Sequence, residues 1–310
     1  MPINNVKLTN ITVFKELDLD MSPRINIIIG ENGTGKTHLL KMIYFAYNNN
    51  KDLTIEEKYV RNFKDEDGGH PGVFIKDENS ECFMLEWGKV CKNEGKKEPI
   101  YIPVSEMLSH SKGFLALNSK YKMPFDQTEV DIISNAELPE TREVSELNKK
   151  VLDKISNIIN GEVIYENDTF YILKDEGFKV EFSVEAEGLR KFGLLFKLIR
   201  NGLIENGSVL LWDEPEANIN PELIPVLVDI LLELQREGVQ IFISTHSYNL
   251  AKYFEVKRKE NNQVLFHSLY KKGNEVLAQT EEYFGKLRNN KIISADEKLL
   301  DEVFEKNLED

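Results

Sequence analysis

The tightest constraint on this chain is the run Gly-Glu-Asn-Gly-Thr-Gly-Lys-Thr at residues 30–37. It fits the pattern G-x-x-x-x-G-K-[ST]. An Ile-rich apolar stretch at 24–29, read as a strand, leads into it. A stretch at 36–47, read as a helix and ended by the polar Asn48, Asn49 and Asn50, leads out. Gly30, Gly33 and Gly35 let the backbone curl, so that N–H groups of the turn, which also holds Glu31, Asn32 and Thr34, point inward at phosphate oxygens. The helix N-terminus adds positive potential at the same place. Lys36 is spaced to reach β- and γ-phosphates, and the Thr37 hydroxyl is spaced to ligate Mg²⁺. A strand, a phosphate turn and a helix in this order predict an α/β fold that binds the phosphates of a nucleotide together with Mg²⁺.

Two further blocks belong to the same chemistry. Residues 208–215 read Ser-Val-Leu-Leu-Trp-Asp-Glu-Pro, an apolar strand that ends in two acids. Adjacent carboxylates after a buried strand are costly unless a cation or hydrogen bonds compensate them. Asp213 is therefore expected to hold Mg²⁺, directly or through water. Glu214 is expected to polarise the attacking water. A second strand at 239–244 runs into Ser244-Thr245-His246-Ser247, with His246 33 residues beyond Asp213. That interval fits one helix and one parallel strand, so His246 is a candidate contact for the γ-phosphate or the attacking water.

Composition narrows the class. The chain has 310 residues, 41% of them hydrophobic, enough for a large core and too many for disorder. Lys and Arg total 39 against 53 Asp and Glu, a formal charge of −14, which disfavours non-specific binding of polyanions. Cys82 and Cys91 are too few for a disulfide framework or a four-ligand zinc site. The start lacks a basic region followed by an apolar run. The apolar run at 223–234 is broken by Pro225, Asp229 and Glu233. A cytoplasmic protein with no membrane partner is expected.

The remaining chain reads as a single domain over 1–310. A nucleotide-binding core spans 1–50 and 183–295, a β/helical insertion 51–182, and a C-terminal helix 296–310. Strands are expected within 6–21 and at 72–75, 82–87, 101–104, 209–212, 264–270 and 275–280, with loops at 68–69 and 93–97. A strand over 163–173 pairs with 178–182 as a hairpin. Helices are expected within 106–133 and at 143–159, with Gly161 as its C-cap, and at 188–201, 221–236, 248–254 and 296–307.

Together, the N-terminal strands through Phe14, the turn at 30–37, the block Asp213-Glu-Pro-Glu-Ala-Asn-Ile-Asn-Pro221 and Ser244-Thr-His246-Ser resemble the ATP-binding-cassette (ABC) ATPase head. The likeness is to its branch of chromosome-maintenance, recombination-repair and OLD-like ATPases. The resemblance implies a mixed central sheet, an antiparallel β subdomain and a compact helical subdomain. It implies that Asp213 supports the metal, that Glu214 is the catalytic base beside Lys36, and that His246 is the switch histidine. It implies that 216–220 crosses to a partner subunit, and that two heads sandwich ATP in a dimer or higher homo-oligomer. Ala186-Glu-Gly-Leu-Arg-Lys-Phe192 sits where the family carries its signature, so Gly188 is implied to offer N–H donors to the nucleotide held by the opposite subunit. Ala186 stands where the family has serine, and Arg190 or Lys191 is placed to compensate. No Gln follows the strand at 101–104, and Ser105 or Glu106 occupies that region instead. Ile102-Pro-Val-Ser-Glu-Met-Leu-Ser-His-Ser-Lys112 is similar to a segment of small defence-associated ATPases, among them the AriA subunit of the PARIS system.

The resemblance implies an ATPase that regulates a separate effector, a nuclease-type toxin in anti-phage defence, and the two departures from the family pattern, Ala186 and the missing Gln, imply slow turnover. Two alternatives stand beside it: a repair or recombination ATPase that grips DNA directly, and a low-turnover nucleotide-gated binding module. Whether nucleic acid is contacted directly stays open at this level. The basic clusters around Lys89–Lys97 and Lys252–Lys259 are short and mixed with acids.

Overall fold

The computed structural model describes residues 2–47, 57–60, 70–77, 81–85, 88–91, 97–121, 123–259 and 263–309. The polar run 48–50, the loop 68–69, the last residues of the strand expected over 82–87, and 93–96 lie outside the described residues. The chain forms two compact units, Met1–Glu98 with Phe242–Asp310, and Pro99–Ile241.

In chain order the elements are β1 (Ile3–Ile11), β2 (Phe14–Asp20), β3 (Ile25–Gly30), α1 (Lys36–Tyr47), β4 (Gly72–Asp77), β5 (Glu81–Leu85) and β6 (Gly88–Cys91). Next come β7 (Ile100–Ile102), α2 (Phe114–Tyr121), α3 (Gln127–Glu137), α4 (Glu146–Ile159), β8 (Gly161–Glu166), β9 (Thr169–Lys174) and β10 (Lys179–Glu181). The chain continues through α5 (Glu187–Arg200), β11 (Val209–Asp213), α6 (Ile224–Arg236) and β12 (Gln240–Thr245). It closes with α7 (Tyr248–Lys257), β13 (Val264–Lys272), β14 (Glu275–Glu281) and α8 (Lys291–Glu309). The fold is mixed α/β, with a mixed central sheet, antiparallel sheets and eight α-helices among the described residues.

In the first unit, β2-β1-β4-β5-β6 form an antiparallel sheet. Alternation sets its register: Leu17 and Leu19 face inward opposite Leu8 and Val6, while Asp18 and Asp20 face solvent. The mixed character of the central sheet is visible in the same unit. β13 runs parallel to β3 and antiparallel to β14, and β12 lies on the other side of β3. Every residue of β3 is buried, its isoleucines as a strand covered on both faces requires and Asn26 through the polar network described below. α1 packs Leu39, Leu40, Met42 and Ile43 into the core.

In the second unit, β11 is fully buried and pairs in parallel with β7, placing Leu210 opposite Ile100 and Trp212 opposite Ile102. β8, β9 and β10 form a separate antiparallel sheet. The single strand expected over 163–173 is in fact two. Asn167 and Asp168 adopt φ of 50° and 57°, a two-residue turn with the twist hairpins favour, and it splits the run into β8 and β9. The C-cap of α4 is Asn160, at φ 50°, not Gly161, which opens β8. Asn tolerates the left-handed region well enough to displace the glycine from that role. The helix expected from 221 begins as a short 3₁₀ turn, Pro221–Leu223, and becomes α-helical at Ile224. The last helix starts five residues before its expected position, because the Asn290 side chain accepts hydrogen bonds from the N–H groups of Ile292 (3.0 Å) and Ile293 (3.4 Å) and caps it there.

A buried polar network ties β3 to β13. His267 is fully buried. Its Nε2 faces Asn26 Oδ1 at 3.1 Å and its Nδ1 faces Thr280 Oγ1 at 2.9 Å. Asn26 in turn accepts from Ser22 N (2.7 Å) and donates to Ser22 O (2.9 Å). The neutral tautomer with the proton on Nε2 satisfies both contacts, since Thr280 then donates to Nδ1. Burial pushes the His267 imidazole down to about 4. The unfolded chain therefore binds the extra proton first, and stability falls as pH drops from about 6.5 toward 4. Over that window roughly 3 kcal/mol is expected to be lost at this residue. Urea unfolding between pH 7 and 4 measures it, and His267→Gln flattens the dependence.

Candidate functional site

The first unit carries the phosphate turn. Its glycines answer to close packing as much as to curvature. A Cβ at Gly30 would lie 2.4 Å from Leu269 O. Gly35 has φ +87°, and its Cβ would lie 2.6 Å from both Val13 Cγ2 and Phe14 Cζ, at the β1–β2 turn. Lys36 is 6% exposed, with Nζ donating to Gly30 O at 2.8 Å and Glu31 O at 3.3 Å. Thr34 is buried, its hydroxyl donating to Glu31 O at 2.8 Å. Thr37 lies in the first turn of α1, which contains no acid. A glycine-lined turn, an acid-free helix start and an ammonium held by backbone carbonyls fit a polyphosphate.

Two cations from outside the motif reach the turn. Lys271 Nζ, on β13, donates to Asn32 O at 3.3 Å. Lys291, the first residue of α8, pairs with Glu31 at 2.9 Å. A cavity of about 330 Å³ opens beside the turn, lined by residues that include Thr12, Val13, Gly33, Lys271 and Glu275. His246 is exposed, directly after β12. The turn it occupies is fixed by Thr245 Oγ1, which accepts from Ser247 N at 2.9 Å, and by Ser247, which caps α7.

The second unit carries the acids. Asp213 is the last residue of β11, 1% exposed, and accepts a hydrogen bond from the Tyr101 hydroxyl at 3.1 Å. Glu214 follows at φ +45°, a left-handed conformation that few non-glycine residues adopt and that concentrates at functional sites. Its carbonyl accepts from Ala217 N at 3.1 Å and from Lys191 Nζ at 3.2 Å. Burial drives the Lys191 ammonium down, while Glu187, Glu216, Glu214 and Asp213 draw it up.

The start of α5 contacts the loop that follows these acids. A Cβ at Gly188 would lie 2.8 Å from Asn218 O. Ala186 occupies the N-cap and makes no side-chain capping bond, as its missing hydroxyl dictates. Arg190 is turned toward Glu106, with Nη1 3.2 Å from the carboxylate. Glu106 is buried and accepts from the backbone N–H of Leu108 and of Ser109. Burial raises its carboxyl, against the lowering influence of Ser109, Arg190 and the backbone donors.

The first unit thus brings together residues 30–37 and holds His246, while the second brings Asp213 and Glu214 together with the start of α5. Sequence reasoning missed Tyr101, Lys271 and Lys291, and gave Lys191 a different task. Tyr101 had a signal, as the one polar group between two isoleucines. So had Lys191, which lies three residues after Gly188 on the buried stripe with Phe192 and Leu195. In Gly35→Ala, the left-handed backbone and the clash with Phe14 are expected to cost at least about 1–2 kcal/mol. Thermal unfolding reads that loss, and ATP titration calorimetry reads an accompanying fall in affinity of roughly tenfold or more.

A family model described as "AAA domain, putative AbiEii toxin, Type IV TA system" matches residues 105–252. The DNA replication and repair protein RecF of Lactobacillus acidophilus is 27% identical over 165 residues, 53% of this chain and 40% of that protein. RecF of Streptococcus agalactiae is 33% identical over 95 residues, 30% of this chain and 26% of the relative. The matched part thus spans well under half the length of these relatives. Among solved structures, an SMC head with extended coiled coil from Pyrococcus furiosus, bound to the C-terminal domain of ScpA, superposes with a TM-score of 0.57 at 12% identity. It covers 97% of this chain and 99% of that one. The SMC head of Thermotoga maritima gives 0.53 at 14% identity, over 91% of this chain and 99% of that one. The fold is that of an SMC head, and parts of the chain are similar in sequence to RecF.

Proposed function

We propose that the chain binds and hydrolyses ATP, dimerises on the nucleotide and governs a separate effector protein, a nuclease-type toxin of anti-phage defence. The observation that carries the nucleotide reading is the phosphate turn: tightly packed glycines, an acid-free helix start and the buried Lys36. In this reading the N–H groups of residues 30–37 and the Lys36 ammonium hold the phosphates. Thr37 and Asp213 hold Mg²⁺, which when bound neutralises phosphate charge. Glu214 orients and deprotonates the attacking water, and His246 senses the γ-phosphate. Gly188 and Arg190 belong to the face offered to the opposite subunit. The Arg190–Glu106 pair means that Arg190 must leave a buried partner before it can contact a nucleotide, which is consistent with slow turnover.

An effector that is itself a protein accords with the net charge of −14 and with α8. That helix exposes Leu299, Leu300, Val303 and Phe304 on one face, between 47% and 65% exposed. A head of the same fold in the SMC structure carries a protein domain, that of ScpA. Among the described residues no helix is long and apolar enough to cross a membrane, which suits a cytoplasmic site of action. The second reading, a DNA-repair ATPase that grips DNA directly, is favoured by the similarity to RecF.

Lys36→Ala is expected to abolish ATP binding in calorimetry, and retained tight binding overturns the nucleotide site. Glu214→Gln is expected to lower turnover roughly 100-fold or more while trapping ATP and a dimer detectable by light scattering. The two readings part on duplex DNA. Sub-micromolar, salt-sensitive binding by the isolated protein favours the repair reading, and its absence favours control of an effector.

A further inference from the structure

Two consecutive side chains of α5 grip the two loops that leave the parallel pair β7 and β11. Arg190 holds Glu106, beyond β7, and Lys191 holds the carbonyl of Glu214, beyond β11. Lys191 is the less expected of the two. It is 2% exposed, one of the largest fully buried side chains of the protein, and its polar end is directed at the backbone of the acid pair rather than at solvent. A buried ammonium is retained only where opposite charge and hydrogen bonds compensate its desolvation. Here the compensating charges are Glu187, Glu216, Glu214 and Asp213. The same geometry bears on the backbone. Glu214 sits at φ +45°, a conformation that costs on the order of 1–3 kcal/mol and persists only when its surroundings hold it. The bond from Lys191 to the Glu214 carbonyl is one of the contacts that does so.

We propose that Lys191 is a positioning residue for the Asp213–Glu214 pair: its ammonium fixes Glu214 in the left-handed conformation and balances the acids from the side of α5. The inference rests on the reading of Asp213 and Glu214 as the metal-supporting and water-activating acids. It adds that α5 supplies a resident cation to them, within one subunit. Lys191 touches no reacting atom. It acts through the direction in which Glu214 points and through the net charge that a divalent ion meets.

The test uses the full chain and Mn²⁺ with ADP, titrated by electron paramagnetic resonance. Lys191→Gln keeps a donor for the Glu214 carbonyl and removes the charge. Lys191→Met removes both, and Lys191→Arg keeps the charge. Both neutral variants leave the acids less compensated and are expected to bind Mn²⁺ at least about threefold more tightly. Lys191→Arg is expected to stay near wild type. Turnover is expected to fall roughly 10- to 100-fold in Lys191→Met, in kcat with little change in KM for ATP, and less in Lys191→Gln. Either neutral variant suffices if the other does not fold. Unchanged or weaker Mn²⁺ binding in a folded neutral variant overturns the proposal, whatever happens to turnover, since a purely structural lysine would not tighten a cation site. If wild type itself binds no Mn²⁺ with ADP, the assignment of the acids as a metal site has failed, a different result from a bound ion that is indifferent to Lys191.

Discussion

The first unit is organised around one close approach, that of Gly35 to Val13 and Phe14. The phosphate turn and the β1–β2 turn meet there with no room for a single methyl group, and the backbone of Gly35 is left-handed as well. The turn is pressed against the β1–β2 turn at this point, while Gly30 closes on Leu269 from the side of β13. The strand below it is buried on both faces, the helix above it packs its apolar residues into the core, and β1 and β2 are held in register by Leu8, Leu17 and Leu19. Preorganisation of this sort lowers the entropy lost when phosphates arrive.

Electrostatics adds the second layer. On the proposed reading, a chain of net charge −14 has to concentrate its cations to attract a polyphosphate. It does so with Lys36 inside the turn and with Lys271 and Lys291 at its edges, each held by a carbonyl or carboxylate of the turn itself. In the second unit the same economy runs in the opposite sense, with Lys191 set among four acids. At these two places charge is organised locally, by individual side chains against individual loops.

Much of this was legible in the sequence. The limits of α1, the strand that leads into the phosphate turn and the run of β11 into Asp213 follow from local patterns: apolar continuity, glycine spacing and the abrupt arrival of charge. What was not legible depends on contacts between distant segments. Glu106 reads as a loop acid until Arg190, far along the chain, is seen beside it. Tyr101 reads as core until its hydroxyl is seen on Asp213. The split between β8 and β9 turns on two residues, Asn167 and Asp168, that accept a left-handed backbone without the glycine that usually announces it. The early start of α8 turns on a side-chain cap that polar composition alone does not single out.

The Lys291–Glu31 pair has a consequence for communication through the first unit. It joins the root of α8, whose outer face is apolar and uncovered among the described residues, to a residue of the phosphate turn. Such a tie is reciprocal: whatever a filled turn does to the freedom of α8, an occupied α8 does in equal measure to the affinity of the turn. Its strength is bounded by its setting. Lys291 is 71% exposed and Glu31 29%, and an ion pair so open to solvent contributes no more than about 1 kcal/mol. Through this contact alone, the helix and the nucleotide loop can therefore shift one another's equilibria by at most about fivefold, and the shift fades as salt screens the pair.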